Sequence, residues 1–270
     1  MRAILDPVQA IVLALVQGLS EFLPVSSSGH LVLVPHLFGW ADQGLAFDVA
    51  VHVGTLVAVA AYFRRELAAM ARAWFASLGG GGATPDSRLA WCVILGTVPV
   101  GVVGLTLGGF IEESLRNPLS VATLLAVFGL FMWVADRFGR RERDEYGVGW
   151  RDALLIGCAQ ALALMPGTSR SGVTMTMARA LGLTRAAAAR FSFLLAVPGI
   201  AMAGGYEFLK LATTDGPSAD WGAISLGMAV AAVTGYACIA WFLSAINRIG
   251  LAPFAIYRFL VSGLLFWLYA

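Results

Sequence analysis

Six long apolar runs divide the chain, and each is long enough to cross a membrane as a helix. The hydrocarbon core of a bilayer is roughly 30 Å thick, which an α-helix crosses in about 20 residues. The runs lie at about 46–63, 90–110, 118–135, 191–212, 222–244 and 254–270. This pattern predicts an all-α integral membrane protein with six transmembrane helices.

Four further apolar segments are shorter and lie next to residues that interrupt helices. They cover residues 8–22, 31–40, 153–165 and 173–183, and each is broken by Pro, Gly or Ser. None is long enough to cross a bilayer alone, and broken helices at membrane depth are tolerated only where protein or a cavity surrounds them. We therefore expect two re-entrant helix pairs in addition to the six spans.

Composition and charge support a membrane location and suggest an orientation. Hydrophobic residues make up 59% of the chain and charged residues only 13%, against about 25% charged in soluble proteins. The net charge of +2 says little, but the basic residues concentrate in two connections, which the positive-inside rule assigns to the cytoplasm. These residues are Arg64, Arg65, Arg72 and Arg88 in one connection, and Arg137, Arg140, Arg141, Arg143 and Arg151 in the other.

The remaining connections and both termini are then expected on the external face. They include the connection with Glu112, Glu113 and Arg116 and the segment TTDGPSAD at 213–220. The start MRAILDPVQA lacks the charged region and cleavage site of a secretory signal, so the first apolar segment is expected to remain in the protein. The three cysteines, Cys92, Cys158 and Cys238, lie in apolar runs without disulfide or metal spacing, and we interpret them as core-packing residues.

The chain repeats itself at a distance of 143 residues. This shift aligns six identical pairs, namely Gln17 with Gln160, Leu19 with Leu162, Ser26 with Ser169, Ser28 with Ser171, Gly29 with Gly172 and Gly39 with Gly182. Three spans follow each copy, so the second copy is inverted relative to the first, as in inverted-topology repeats with one site at their interface. We predict a single membrane domain made of repeats 1–143 and 144–270. Ser27 faces Arg170 in the alignment, so the two halves have specialised.

The first copy carries a carboxylate and an amide on one helix face. Gln17 and Glu21 are four residues apart, so their side chains point to the same place. A carboxylate inside an apolar segment costs on the order of 2.5–3.5 kcal/mol on insertion scales and marks a functional cavity by default. The alternatives are an interfacial Glu21 that reaches the membrane surface and a Gln17 that bridges two helices.

The stretch VSSSGH at 25–30 follows with three consecutive hydroxyls at a helix break. The side chains of Ser26, Ser27 and Ser28 and the backbone N–H groups near Gly29 form an array of donors at the start of the next helix. A helix N-terminus of this kind favours an anion. The alternative, a simple N-cap for a helix that begins near Leu31, needs only one of the serines.

The stretch PGTSRSG at 166–172 repeats this arrangement around a permanent cation. Arg170 lies between Ser169 and Ser171, directly before Gly172. Its planar guanidinium fits phosphate oxygens and needs an anionic partner in an apolar setting. A salt bridge to Glu21 alone is the structural alternative.

A histidine next to the serines is a candidate proton-transfer group. A histidine side chain ordinarily titrates near neutrality, and His30 lies one residue beyond the donor array. The alternative is a hydrogen-bonded packing residue. We interpret His36 and the pair Asp48 and His52 as helix-packing or supporting groups. Thr174 and Thr176 can bond either backbone carbonyls or a ligand.

These motifs resemble the undecaprenyl pyrophosphate phosphatase family, also called the bacitracin-resistance protein family. QGLSEFLPVSSSGH at 17–30, FDVAVHVGTLVAV at 47–59 and PGTSRSGVTMTMARALGL at 166–183 carry the resemblance, which runs nearly end to end. It implies removal of the terminal phosphate from a polyprenyl pyrophosphate in the bacterial inner membrane, which recycles the carrier lipid for cell-wall synthesis and confers bacitracin resistance. It also implies a divalent cation, Mg²⁺ or Ca²⁺, a site reached from the periplasmic side and no nucleic-acid partner, and it leaves a homodimer open.

One residue departs from the family pattern. Many members carry a glutamate where this chain has Gln17, which shifts the expected metal role toward Glu21 and the oxygens of the substrate. We interpret Ser27, activated by His30 or Glu21, as the nucleophile that attacks the terminal phosphorus, and direct attack by water remains an alternative. The phosphates would be held by Arg170 together with Gln17, Ser26, Ser28, Gly29, Ser169, Ser171, Gly172 and Thr174.

Two other functions fit parts of the pattern. A transporter or lipid flippase fits the inverted repeat, since such repeats build midplane sites in secondary transporters. An intramembrane serine protease would use Ser27 and His30 as its catalytic dyad, but this mechanism gives Arg170 no function. Hydrolysis of a pyrophosphate lipid by the purified protein without a gradient separates the phosphatase from both.

Overall fold

The computed structural model describes residues 6–115, 117–213 and 220–269, and side chains at 112–115, 208 and 210–213 are outside that description. Over these residues the chain forms α-helices and two short 3-10 helices, Glu145–Gly147 and Leu162–Leu164. The α-helices are α1 (Pro7–Ser20), α2 (Ser27–Phe38), α3 (Leu45–Tyr62), α4 (Arg64–Leu78), α5 (Pro85–Leu115), α6 (Pro118–Phe138), α7 (Trp150–Ala161), α8 (Arg170–Ala180), α9 (Arg185–Thr213), α10 (Trp221–Ile249) and α11 (Ala252–Tyr269).

The prediction of six spans is confirmed. Within the described residues, six helices are long and apolar enough to cross a membrane, and they are α3, α5, α6, α9, α10 and α11. Two of them begin more than a helical turn before the predicted apolar runs, α5 at Pro85 and α9 at Arg185. In α5 the extra turn is capped reciprocally, since the Thr84 N–H donates to Ser87 Oγ at 2.9 Å and the Ser87 N–H to Thr84 Oγ1 at 3.2 Å. Polar caps of this kind start a helix before its apolar part begins.

The four short apolar segments form α1, α2, α7 and α8. The two pairs start at equivalent positions of the repeat, α1 and α7 at Pro7 and Trp150, and α2 and α8 at Ser27 and Arg170. The residue before each second helix is strained: Ser26 has φ +77° and Ser169 has φ +72°. They are the only non-glycine residues with positive φ in the described part of the chain. Such a conformation costs on the order of 1–3 kcal/mol and persists only where the surroundings hold it.

The helices pack in matching sets. α1 lies against α10 as α7 lies against α5, while α3 contacts both α9 and α10, α6 contacts α8, and α11 lies along α6. Small residues let two of these backbones approach closely. A Cβ on Gly157 would lie 2.4 Å from the carbonyl oxygen of Gly96, and one on Gly54 would lie 2.4 Å from that of Met228. Small residues at helix crossings are the usual device for close packing in membranes.

One helix and one cysteine differ from the sequence-based expectations. The basic connection after the first span contains α4, whose Met70 is buried while Phe75 and Leu78 remain exposed. A search for long apolar runs misses α4 because Arg64, Arg65, Glu66 and Arg72 interrupt its apolar residues. Cys92 and Cys238 are buried as expected, but the interpretation of Cys158 as a core residue is wrong, since it is exposed.

The two basic connections meet at one end of the bundle. Arg190 of α9 contacts Glu66 at 3.4 Å and also pairs with Glu145. Tyr146 donates to the Asp86 carboxylate at 3.2 Å, and burial together with this carboxylate raises the pKa of Tyr146. The connections at 112–116 and 214–219 that were expected on the opposite side lie outside the described residues or side chains.

Candidate active site

A buried carboxylate joins the two halves of the chain. Glu21 follows the end of α1 and is 7% exposed. Its Oε1 atom accepts from Arg170 Nη2 at 2.6 Å, and its Oε2 atom accepts from Ser27 Oγ at 2.7 Å and from Gln17 Nε2 at 3.0 Å. A charged partner and two neutral donors compensate the buried charge. The arrangement brings Gln17, Glu21, Ser27 and Arg170 together, as the spacing and the repeat predicted.

The three serines of the first break have different surroundings. Ser27 opens α2 and points its hydroxyl at Glu21, whereas Ser26 Oγ and Ser28 Oγ lie 3.5 Å from each other. A Cβ on Gly29 would lie 3.6 Å from Ser26 Oγ, so Gly29 keeps the backbone beside this hydroxyl open. Ser27 is therefore the serine whose proton can pass directly to a carboxylate.

The second break is tied to the first by a hydroxyl. Ser171 Oγ donates to the Leu23 carbonyl at 3.0 Å and lies 3.3 Å from Ser169 Oγ, which in turn accepts from the Gly172 N–H at 3.2 Å. Thr174 lies deeper in α8, where its Oγ1 donates to the Arg170 carbonyl at 2.8 Å and lies 2.7 Å from Ser192 Oγ. Of the residues that sequence analysis proposed for substrate binding, Thr174 is thus the one engaged in helix packing.

His30 faces away from Ser27. Its Nδ1 lies 2.7 Å from the Ser26 carbonyl oxygen and its Nε2 lies 2.6 Å from Tyr257 Oη, with the two rings stacked. A carbonyl only accepts, so Nδ1 carries the hydrogen, and in neutral His30 the Tyr257 hydroxyl donates to Nε2. The geometry therefore favours Glu21 over His30 as the partner of Ser27. The second histidine, His52, reaches Glu21 Oε2 at 3.9 Å.

A fully buried arginine beside the two helix breaks was not predicted from the sequence. Arg258 of α11 is 0% exposed and its guanidinium donates only to backbone carbonyls. It reaches Thr168 and Gly167 at 2.9 Å each, Leu125 at 3.2 Å and Pro24 at 3.4 Å. It thus links both helix breaks to α6. The signal was available, because Arg258 is a charge inside the sixth apolar run and such a charge marks function or a key structural contact.

The donor set fits a metal only together with substrate oxygens. The described residues contain no group of three or more His, Cys, Asp or Glu side chains that could hold an ion. Glu21 offers a carboxylate, and Gln17 Oε1 is buried without a hydrogen-bond partner among these residues. Mg²⁺ is commonly bound by one or two carboxylates plus substrate phosphates, so Glu21 and Gln17 suit a cation that arrives with a phosphate.

Fold and site define a class, a multi-pass helical membrane protein with a buried polar site where two broken helices meet. A family model described as bacitracin resistance protein BacA matches residues 10–264. The chain belongs to this family.

Curated relatives match over nearly their full length. Undecaprenyl-diphosphatase 2 of Stutzerimonas stutzeri is 55% identical over 269 residues, which cover 98% of this chain and 99% of that protein. Undecaprenyl-diphosphatase of Nitrosococcus oceani is 54% identical over 266 residues, 98% of this chain and 100% of that protein. Undecaprenyl-diphosphatase of Hahella chejuensis is 54% identical over 263 residues, 97% and 98% of the two chains.

Proposed function

We propose that this protein is a membrane phosphatase that hydrolyses undecaprenyl diphosphate to undecaprenyl phosphate and inorganic phosphate. Family membership and the names of relatives at 50–55% identity support this activity. The observation that carries it in this chain is the contact of Glu21 with both Ser27 and Arg170. The reaction returns the carrier lipid to cell-wall synthesis, which accounts for bacitracin resistance.

The first chemical step uses the hydrogen bond between Ser27 and Glu21. Glu21 takes the proton from Ser27 Oγ while this oxygen forms a bond to the terminal phosphorus. The bond between that phosphorus and the bridging oxygen breaks, and undecaprenyl phosphate leaves. Arg170 turns from Glu21 toward the phosphate, which leaves the carboxylate free to accept the proton and neutralises the charge that develops on the phosphate.

The second step regenerates the serine. Once Glu21 has passed the first proton to the departing undecaprenyl phosphate, a water oxygen attacks the phosphorus of phosphorylated Ser27 and gives a proton to Glu21. The bond between phosphorus and Ser27 Oγ breaks, Glu21 returns the proton to Ser27 Oγ, and inorganic phosphate is released. In the alternative mechanism, water attacks the lipid diphosphate directly while Ser27 only orients the phosphate. The hydrogen bond of 2.7 Å between Ser27 and Glu21 favours the serine as nucleophile.

Phosphate binding is shared among both breaks. Helices α2 and α8 begin at Ser27 and Arg170, and helix N-termini favour anions. We assign binding to their backbone N–H groups near Gly29 and Gly172 and to the hydroxyls of Ser26, Ser28, Ser169 and Ser171. A divalent cation, Mg²⁺ or Ca²⁺, would be held by Glu21 and Gln17 Oε1 and would supply positive charge to the phosphate oxygens.

The proposed architecture is a single domain of two inverted repeats, 1–143 and 144–270, with α1–α2 and α7–α8 as re-entrant pairs. Three observations support it: the 143-residue spacing of helix starts, the shared positive φ of Ser26 and Ser169, and the matching contacts of α1 with α10 and α7 with α5. The basic connections would lie in the cytoplasm of a bacterial cell and the site would open to the periplasm. Glu21, Ser27 and Arg170 meet within one chain, so these contacts do not require a second copy. Homodimer formation stays a prediction.

The test is phosphate release from undecaprenyl diphosphate by the full-length protein in detergent, where no membrane gradient exists. We expect turnover that Ser27→Ala removes. A flippase would move the lipid between leaflets of a vesicle without releasing phosphate, and a protease would cleave peptides instead. Either result would contradict the proposed activity.

A further inference from the structure

Two buried polar atoms near the proposed site face one small space. Gln160 Oε1 and Arg170 Nη1 are buried and have no hydrogen-bond partner among the described residues. An ideal Cβ on Gly199 of α9 would lie 3.6 Å from Gln160 Oε1 and 3.8 Å from Arg170 Nη1, with no other non-local atom of the described structure within 4 Å. The absence of a side chain at Gly199 thus leaves room beside both atoms.

The orientation of the Gln160 amide follows from its other contact. Gln160 Nε2 donates to the Gly96 carbonyl at 3.4 Å, and the reversed amide would place two acceptors against each other. α5 and α7 approach closely here, because Gly96 and Gly157 meet without side chains. The oxygen of the amide, an acceptor, therefore faces the space beside Gly199.

Gln160 Oε1 and Arg170 Nη1 restrict the kind of group that can bond to both of them. Arg170 Nη1 only donates and Gln160 Oε1 only accepts. A group that bonds both must accept one hydrogen bond and donate another, so it is an oxygen that carries a proton. An oxygen of a fully ionised anion cannot donate to Gln160.

We propose that Gln160 is a further binding residue of the site, which with Arg170 binds a proton-bearing oxygen beside Gly199. The inference rests on the proposed function, since this oxygen belongs either to the hydroxyl of the terminal phosphate or to a water molecule bound next to it. If it belongs to the phosphate, Gln160 makes the site selective for protonated phosphate. Sites built to bond a hydroxyl reject analogues that lack it by large factors.

Inorganic phosphate and sulfate distinguish the two sources. The anions have similar shape, but near neutral pH phosphate carries a proton and sulfate does not. Their affinities are measured at equal ionic strength as inhibition constants against undecaprenyl diphosphate hydrolysis and as shifts in the thermal unfolding midpoint of the detergent-solubilised, full-length protein. The second readout does not depend on turnover, so it tests Gln160 even if the proposed activity fails.

Two variants change the site and one is a matched control. Gly199→Ala fills the space with a methyl group at ordinary contact distances, and Gln160→Met removes the acceptor while keeping length. Gly205→Ala lies on the same helix, where a Cβ meets nothing within 4 Å in the described structure. Each variant is first shown to be folded by its circular dichroism and unfolding midpoint.

If the phosphate hydroxyl is bound, the unmodified protein should bind phosphate at least about tenfold more tightly than sulfate, a difference of about 1.4 kcal/mol. Gly199→Ala and Gln160→Met should reduce the ratio to within about twofold and Gly205→Ala should keep it. If water is bound, the anions should bind equally while Gly199→Ala lowers kcat about tenfold. The proposal fails if both site variants keep the phosphate preference, or if no preference exists and both retain normal kcat and KM.

Discussion

Arg170 Nη2 lies 2.6 Å from Glu21 Oε1, which joins two motifs 149 residues apart in the chain. Both side chains are largely buried, with 19% and 6% of their surface exposed. Each charge would be costly in an apolar interior without the other. A phosphate that enters the site therefore competes with Glu21 for Arg170.

Replacing Arg170 by Lys should lower turnover at least about tenfold, or about 1.4 kcal/mol in transition-state stabilisation. Lysine keeps the charge but lacks the planar guanidinium that can bond two phosphate oxygens at once. The measurement is kcat/KM for undecaprenyl diphosphate in detergent, with the exposed Arg248→Lys as control. Normal kinetics in a folded Arg170→Lys protein would remove the phosphate clamp from the mechanism.

Ser27→Ala should abolish turnover while the lipid diphosphate still binds, because binding is shared with Arg170 and the neighbouring serines. Ser26→Ala and Ser28→Ala each remove one hydrogen bond of about 0.5–1.5 kcal/mol and should slow the enzyme only several-fold. Rapid acid quench with substrate labelled in its terminal phosphate should trap label on Ser27. Residual activity of Ser27→Ala above about a tenth of normal would indicate that water attacks directly.

Arg258→Lys should destabilise the protein by at least about 2 kcal/mol, because a lysine ammonium cannot reach carbonyls in three segments at once and leaves buried acceptors unpaired. The unfolding midpoint in detergent should fall, and phosphate release should fall with it as the two breaks lose their shared anchor. Arg248→Lys, on the exposed surface, controls for loss of a guanidinium. An unchanged midpoint would show that the contacts of Arg258 to Gly167, Thr168 and Pro24 contribute little.

Reporters of membrane side test the orientation. A reporter fused at Ala83 or Arg140 should indicate the cytoplasm, because both positions lie in the basic connections that meet at one end of the bundle. A reporter at Gly216, within 214–219 outside the described residues, should indicate the external side. The same side for Ala83 and Gly216 would contradict the inverted repeat.

The transmembrane spans and the helix face shared by Gln17 and Glu21 can be predicted from the sequence alone. These features are local: a transmembrane helix satisfies its own backbone hydrogen bonds, so its length and apolar content suffice to predict it, and a spacing of four residues places two side chains together on any helix. The 143-residue repeat likewise indicated that Ser27 and Arg170 belong to equivalent breaks.

The groups that these residues contact depend on how the helices pack in three dimensions. His30 follows Ser27 closely in the sequence, yet its ring bonds Tyr257, which is 227 residues away, and Ser27 bonds Glu21 instead. The role of Arg258 as anchor of both breaks and the shared space of Gln160 and Arg170 beside Gly199 also arise where distant helices cross. No local pattern encodes such contacts, because they depend on how α7, α9 and α11 pack against the rest of the bundle.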